Sequence, residues 1–238
     1  MTGDGWTEAV RRQLGLGRVL PLGGARDGTW VTESAAGGAL RHAARGVTGV
    51  RLGTLRIALA DPGGAYVAAV PPPPSALPPG PLRVTADFAA ATGRPLPAAA
   101  DLLRAALSGA SDRLGLVVDE VDLRVTALLD ESAEPGDVRA EAPRGCEAWA
   151  PEGDSAEARA GRAALGVPGV TRLTGALGPA VHIEERPATG ALPRRHARVE
   201  VATDREHRAL DVALAVRAAV ADALPDHPSV AVLVTAVD

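Results

Sequence analysis

Apolar positions along the chain fall into two series that run through the same order of periods. Helix-compatible runs cover 33–45 and 155–165, and each leads into a Gly-Val-x-Gly-Val phrase. That phrase is Gly46-Val47-Thr48-Gly49-Val50 in the first series and Gly166-Val167-Pro168-Gly169-Val170 in the second. After the first phrase, Leu55, Ile57 and Leu59 alternate with other positions, the period-two mark of a half-buried strand over 51–59. The corresponding strand of the second series, near 180–185, is weaker. Strands over 82–88 and 197–202, long helices over 98–114 and 208–224, and Val-rich strands over 117–128 and 230–237 complete both series. Helix–strand–strand–helix–strand, twice, predicts an α+β fold of two similar domains. In each, helices would cover one face of a small three-stranded sheet.

The two series also match residue by residue. Beyond the glycine phrase, Arg83-Val84 falls on Arg198-Val199, and Asp101, Asp112 and Leu114 fall on Asp211, Asp222 and Leu224. Val121, Val125 and Thr126 fall on Val230, Val234 and Thr235. The blocks keep their order while the offset shrinks between them, as duplication followed by loop shortening would leave. Gly46 and Gly166 would then end the short helices, with Gly49 and Gly169 supplying permissive backbone. This divides the chain into an N-terminal helical or extended segment (1–27), a first repeat (28–130), a linker (131–153) and a second repeat (154–238).

The linker is acidic and rich in Pro and Gly, and it holds Cys146 and Trp149. Residues 70–81 contain seven Pro and read as a stiff, solvated loop between two strands of the first repeat. Trp6, Val10 and Leu14 share one side of a helix-compatible stretch that would dock on the core.

Composition narrows the chemistry. The chain has 238 residues, a formal net charge of −4, 49 Ala, no Lys and no Asn, so all 25 basic residues are Arg. Ala-on-Ala matches between the repeats therefore carry little weight, and the bias itself fits GC-rich coding. Without Lys there is no Schiff-base catalyst and no P-loop lysine. Five aromatics and a slightly acidic balance argue against a nucleic-acid partner. No apolar run is long enough to span a membrane, and no secretory signal opens the chain, so a cytoplasmic location is expected.

The search for a reactive constellation returns little. The five histidines (His42, His182, His196, His207 and His227) follow no metal-ligand spacing, and no serine sits in a nucleophile elbow. Neither a metal, a cofactor nor an enzyme activity is expected. Two features stand out. Arg217 falls in the apolar arc of the second long helix, where it either snorkels to the edge or pairs with a carboxylate across an interface. Arg194, Arg195 and His196 form the densest basic spot, which suggests contact with an anion.

Gly28-Thr29-Trp30-Val31-Thr32, followed by a small-residue helix ending at Gly46-Val47-Thr48-Gly49-Val50, resembles the start of the alkaline-shock-protein family. These are small proteins of Gram-positive bacteria linked to cell-envelope stress. The Val-rich strands Val121–Val125 and Val230–Val234 fit the family's closing strand, so nearly the whole chain resembles two fused copies. The chain departs from the family in having two such domains, no Lys and a proline excursion. The resemblance implies a non-catalytic scaffold that self-associates, or that a protein partner tethers near the membrane, with the two domains packed as an intramolecular pseudo-dimer. The alternative expectation is a regulatory module that binds a small anion between the domains.

Overall fold

The computed structural model describes residues 15–129, 149–188 and 191–238. The helix expected over 6–14 and most of the linker, with Cys146, lie outside the described residues. A hairpin comes first among the strands of the described residues, β1 (Val19–Leu22) and β2 (Thr29–Thr32). The first half continues with α1 (Glu33–Arg45), β3 (Val50–Leu59), β4 (Leu82–Ala91), α2 (Leu96–Leu114) and β5 (Val118–Leu129). The second half contains α3 (Ala156–Leu165), β6 (Val170–Leu173), β7 (Val181–Ala188), β8 (Ala191–Thr203), α4 (Ala209–Ala223) and β9 (Ser229–Val237). The class is α+β, with helices packed on mixed sheets. No helix among the described residues is long and apolar enough to cross a membrane.

Local chemistry sets the helix ends in the same way in both halves. The Thr32 hydroxyl accepts the Ala35 N–H at the start of α1, and the Ser155 hydroxyl accepts the Ala158 N–H at the start of α3. Both helices close on a glycine with right-handed backbone, Gly46 at φ −72° and Gly166 at φ −75°. Left-handed backbone comes three residues later, at Gly49 (φ 78°) and Gly169 (φ 89°). Matching hydrogen bonds, Val50 N–H to Val47 O and Val170 N–H to Val167 O, then launch the next strand.

Strand pairing also matches between the halves. In the first sheet β4 is central, antiparallel to β3 and parallel to β5. In the second, β8 is antiparallel to β6 and β7 and parallel to β9. Two differences separate the halves. The counterpart of the ten-residue β3 is split into β6 and β7 by the 174–180 loop. The second sheet has six strands rather than the expected three, because this split adds one and the N-terminal hairpin adds two. β2 lies parallel to β9, with Trp30 opposite Leu233 and Val31 opposite Val234.

This addition changes the burial pattern. The inner face of the second sheet presents Val31, Val199, Val201, Val230, Val232 and Val234 to a hydrophobic core that also takes in all four helices and the inner face of the first sheet. α1 touches both β3 and β9, so the halves are not separate cores. The outer face of the second sheet is covered as well. Val19, Trp30, Ala231 and Leu233 are buried there beneath Val70, with Ala68, Ala76 and Leu177 packed around them. The Pro-rich stretch is therefore no solvated loop. Its Leu77 N–H donates to Val19 O, and Val70 is only 6% exposed. Prolines suit this position, because they present an apolar surface without N–H donors that would need burying. The first sheet, by contrast, leaves its outer face of Arg83, Thr85, Asp87, Glu120, Asp122 and Arg124 open, laced by ion pairs such as Arg124–Asp87 at 2.8 Å.

Gly115, which ends α2 at φ 92°, joins three parts of the molecule. Its carbonyl accepts the Gly23 N–H from the β1–β2 turn at 2.9 Å, and a Cβ at this position would stand 2.3 Å from Leu210 Cβ on α4. Gly115→Ala is expected to destabilise the whole protein by about 2–4 kcal/mol, from the strained φ together with the clash. Urea denaturation followed by circular dichroism measures it, and a loss below about 0.5 kcal/mol would show that this junction yields freely.

A basic cleft between the two halves as candidate functional site

The chain brings four basic side chains to one cleft of about 260 Å³. His42 comes from the last turn of α1, Arg113 from the last turn of α2, and Arg205 and His207 from the loop between β8 and α4. Its walls are Ala39, Ala43, Ala110, Leu114, Ala209 and Val237. Four alanines at these positions leave the space open, because larger apolar side chains would fill it. Both halves contribute, so the cleft exists only where they meet.

The loop that carries His207 is tightly held. Asp204 accepts the backbone N–H of Glu206 at 3.0 Å and of His207 at 2.9 Å, and its carboxylate lies 2.9 Å from His207 Nδ1. The His207 backbone N–H is the main influence on this carboxyl. It outweighs partial desolvation and, with the His207 ring and the Glu206 N–H, keeps Asp204 below the usual carboxylate range. An ionised Asp204 accepts from Nδ1–H and leaves Nε2 of His207 for a ligand. Beneath the ring sits Gly169, where a Cβ would lie 3.0 Å from His207 Cγ. The second copy of the glycine phrase therefore makes room for this histidine. Arg205 donates to Val237 O at 3.4 Å, and neighbouring Arg208 donates to Asp112 O at 3.0 Å, tying the loop to β9 and α2.

No Ser, Thr, Cys, Asp or Glu lines the cleft among the described residues. It therefore offers arginine hydrogen-bond donors and imidazole nitrogens. No group of three or more His, Cys, Asp or Glu side chains suited to a metal ion occurs among the described residues.

The residues singled out in the sequence are placed elsewhere. Arg194 and His196 point to the outer face of β8, while Arg195 points to the opposite face and pairs with Asp226 at 3.2 Å. The run thus does not gather into one site, because strand alternation splits it. His196 is buried with Nδ1 2.8 Å from Ser229 Oγ, and desolvation pushes its pKa down. Arg217 is half-buried, reaching the edge of α4, and makes no ion pair among the described residues. It donates to the carbonyls of Arg26 and Asp27, both at 3.0 Å, and so fastens α4 to the β1–β2 turn. Gly46, Gly49, Gly166 and Gly169 are turn residues outside the cleft lining, and Gly169 lies against His207.

One residue without a sequence signal is Glu200 on β8, which is fully buried on the outer face of the second sheet. It accepts the N–H groups of Ala176 (2.6 Å) and Leu177 (3.1 Å), and Arg198 Nε lies 3.4 Å away. Its place inside the apolar stretch Val199–Ala202 hides it from any spacing rule. Burial pushes its pKa up to about 7, although the Leu177 N–H, Arg198 and the Ala176 N–H favour the anion.

Comparison of the chain with protein-family models, with curated proteins and with solved structures finds no match.

Glu200 gives the fold a pH dependence whose sign follows from its raised pKa. The folded chain keeps this proton up to about pH 7, whereas the unfolded chain releases it near 4.5. Stability from this group is therefore full at low pH and falls by about 3 kcal/mol as pH rises through that window. His196, with its lowered pKa, works in the opposite direction below its ordinary 6.5. The comparison that isolates Glu200 is with Glu200→Gln. Wild type should lose about 2.5 kcal/mol relative to the variant between pH 5 and pH 8 in denaturant titrations, and parallel curves would show that Glu200 does not hold its proton.

Proposed function

We propose that the protein is a non-catalytic binding module whose inter-half cleft takes a small oxyanion, a phosphate- or carboxylate-bearing molecule. The observation that carries this reading is the convergence of His42, Arg113, Arg205 and His207 on one cleft with no acidic side chain in its lining. Arg113 and Arg205, brought to one cleft from both halves, carry charge of one sign that an anion between them would offset. Arginine suits the task because its planar fork matches carboxylate and phosphate oxygens. Part of the same pattern suits the fold alone, since His42 and Arg113 lie at helix C-termini, where positive charge is favourable. Arg205 and His207 have no such explanation, because they precede a helix N-terminus, where positive charge is unfavourable.

The cleft's volume favours a compact ligand over a drug-sized one. A bound anion would tie α1 and α2 to the β8–α4 loop, so occupancy would stiffen the junction between the halves. Such a module reports the presence of a metabolite through its shape. The scaffold expected from the family resemblance is compatible with this role, with the cleft as its control point.

Titration calorimetry at low ionic strength with inorganic phosphate, pyrophosphate and citrate tests the reading. At least one should bind, and Arg113→Ala and Arg205→Ala should each weaken it roughly tenfold, the worth of one charge-assisted hydrogen bond. Ala43→Leu, which fills the cleft without altering charge, should abolish binding while the fold is retained. Absence of heat with all three anions, or equal affinity in wild type and the arginine variants, would overturn the proposal.

A further inference from the structure

The two halves treat their closing strands differently. On β9, the edge away from β8 is occupied by β2, which pairs in parallel along Val232–Val234. On β5, the equivalent edge away from β4 meets no described strand over its whole length, Val118–Leu129. That edge is long, lacks Pro and Lys, and leaves Val125 39% and Leu128 60% exposed. Natural sheets blunt such edges with prolines, lysines or bulges, because a free row of N–H and C=O groups recruits another strand. Here the two register shifts against β4 fall at Asp119 and Thr126, and the stretch Glu120–Val125 between them is regular.

We propose that β5 is an interface with a second copy of the same chain, in which two β5 strands pair antiparallel about a two-fold axis at Leu123 and join the two three-stranded sheets into one of six strands. The charge pattern selects both the partner and the register. Outward-facing Glu120, Asp122 and Arg124 alternate with inward-facing Val121, Leu123 and Val125. With Leu123 on the axis, Asp122 of each copy faces Arg124 of the other, and Val121 faces Val125. Moving the axis to residue 122 sets Asp122 against Asp122, and moving it to residue 124 sets Arg124 against Arg124. One-residue slips are excluded because they would turn core-facing side chains outward. Among registers that keep the faces matched, the one at Leu123 therefore places opposite charges across the interface where its two neighbours place like ones. A two-fold axis also closes the assembly as a dimer. The other free edge, β3, competes poorly: it is interrupted by a bulge between Leu52 and Leu55, and Arg51 and Arg56 give it one sign of charge.

Self-pairing predicts an outcome that differs from binding to any other protein. Asp122→Arg makes both outward positions positive, and Arg124→Asp makes both negative. Each variant alone should repel its own copy, but each complements the other. In sedimentation velocity on the full chain, wild type should be a dimer, and each single variant should dissociate at least about tenfold more readily. An equimolar mixture of the two should recover the wild-type dimer as a heterodimer, identified by native mass spectrometry. Circular dichroism of each variant confirms that it is folded. If wild type is a monomer at all concentrations, if it forms larger open-ended assemblies, or if the mixed variants fail to associate, the proposal is wrong. A monomeric wild type that becomes a dimer only when residues 131–148 are replaced by a flexible linker would mean that this segment of the chain, and not a second copy, covers β5.

Discussion

The pairing of β2 with β9 is the contact on which the rest of the architecture depends. It joins the start of the described chain to its last strand, with Trp30 against Leu233 and Val31 against Val234. Backbone hydrogen bonds between such distant segments form only after a large loop is closed, so they need apolar burial on both faces to offset the lost entropy. Both faces supply it here. Val31 enters the common core, and Trp30 is sealed under the Pro-rich segment. The cost is visible at the same place: Trp30 Nε1 is buried without an acceptor among the described residues. Such an orphan costs about 1–3 kcal/mol and is outweighed by burial of a large aromatic surface.

Once β2 is in place, much else follows. Thr32 ends that strand and caps α1, so α1 is delivered to the space between β9 and β3 and belongs to both halves at once. The β1–β2 turn in turn receives Arg217 from α4 and the Gly115 carbonyl from α2. A second sheet extended by the hairpin then has two faces to protect, and the 174–180 loop and the proline segment cover the outer one. Glu200 lies beneath that cover because its carboxylate satisfies the N–H groups of the loop that interrupts the strand corresponding to β3.

Much of this was legible in the residues, and the failures share a cause. The short helices, the long helices and the closing strands lie within a residue or two of their expected bounds, because each carries its own periodicity and the short helices also their own caps. The glycine phrases were equally readable, since only glycine accommodates the left-handed backbone at Gly49 and Gly169 comfortably. What could not be read depends on partners distant in sequence. Val19–Leu22 and Thr29–Thr32 are four residues each, too short to show a period, and β2 finds its partner at the other end of the chain. The proline stretch looks solvated until a second sheet face needs covering. The basic run at Arg194–His196 is contiguous in sequence but divided in space. The cleft is the reverse case, since its four basic residues come from three segments that no spacing rule connects.

The two halves share a strand-pairing pattern but differ in how its parts are used. Equivalent turns do different work: Gly49 lies against Ala91, whereas Gly169 lies under His207. Equivalent closing strands differ as well, β9 being enclosed while β5 meets no strand beyond β4 among the described residues. A symmetric pair of halves would bring identical groups to its junction. Here α1 and α2 contribute helix ends, while the second half contributes a loop held by Asp204. The cleft is therefore a product of the asymmetry that β2 imposes by adding to one sheet and not the other. The alanine-rich composition acquires a role at the same point. Across most of the chain it means only small side chains in a tight core, but at Ala39, Ala43, Ala110 and Ala209 it leaves room beside two arginines and two histidines. Space of this kind lowers packing, and so stability, at the junction. A fold that maximised stability alone would fill it, which is the physical reason to read the cleft as a site.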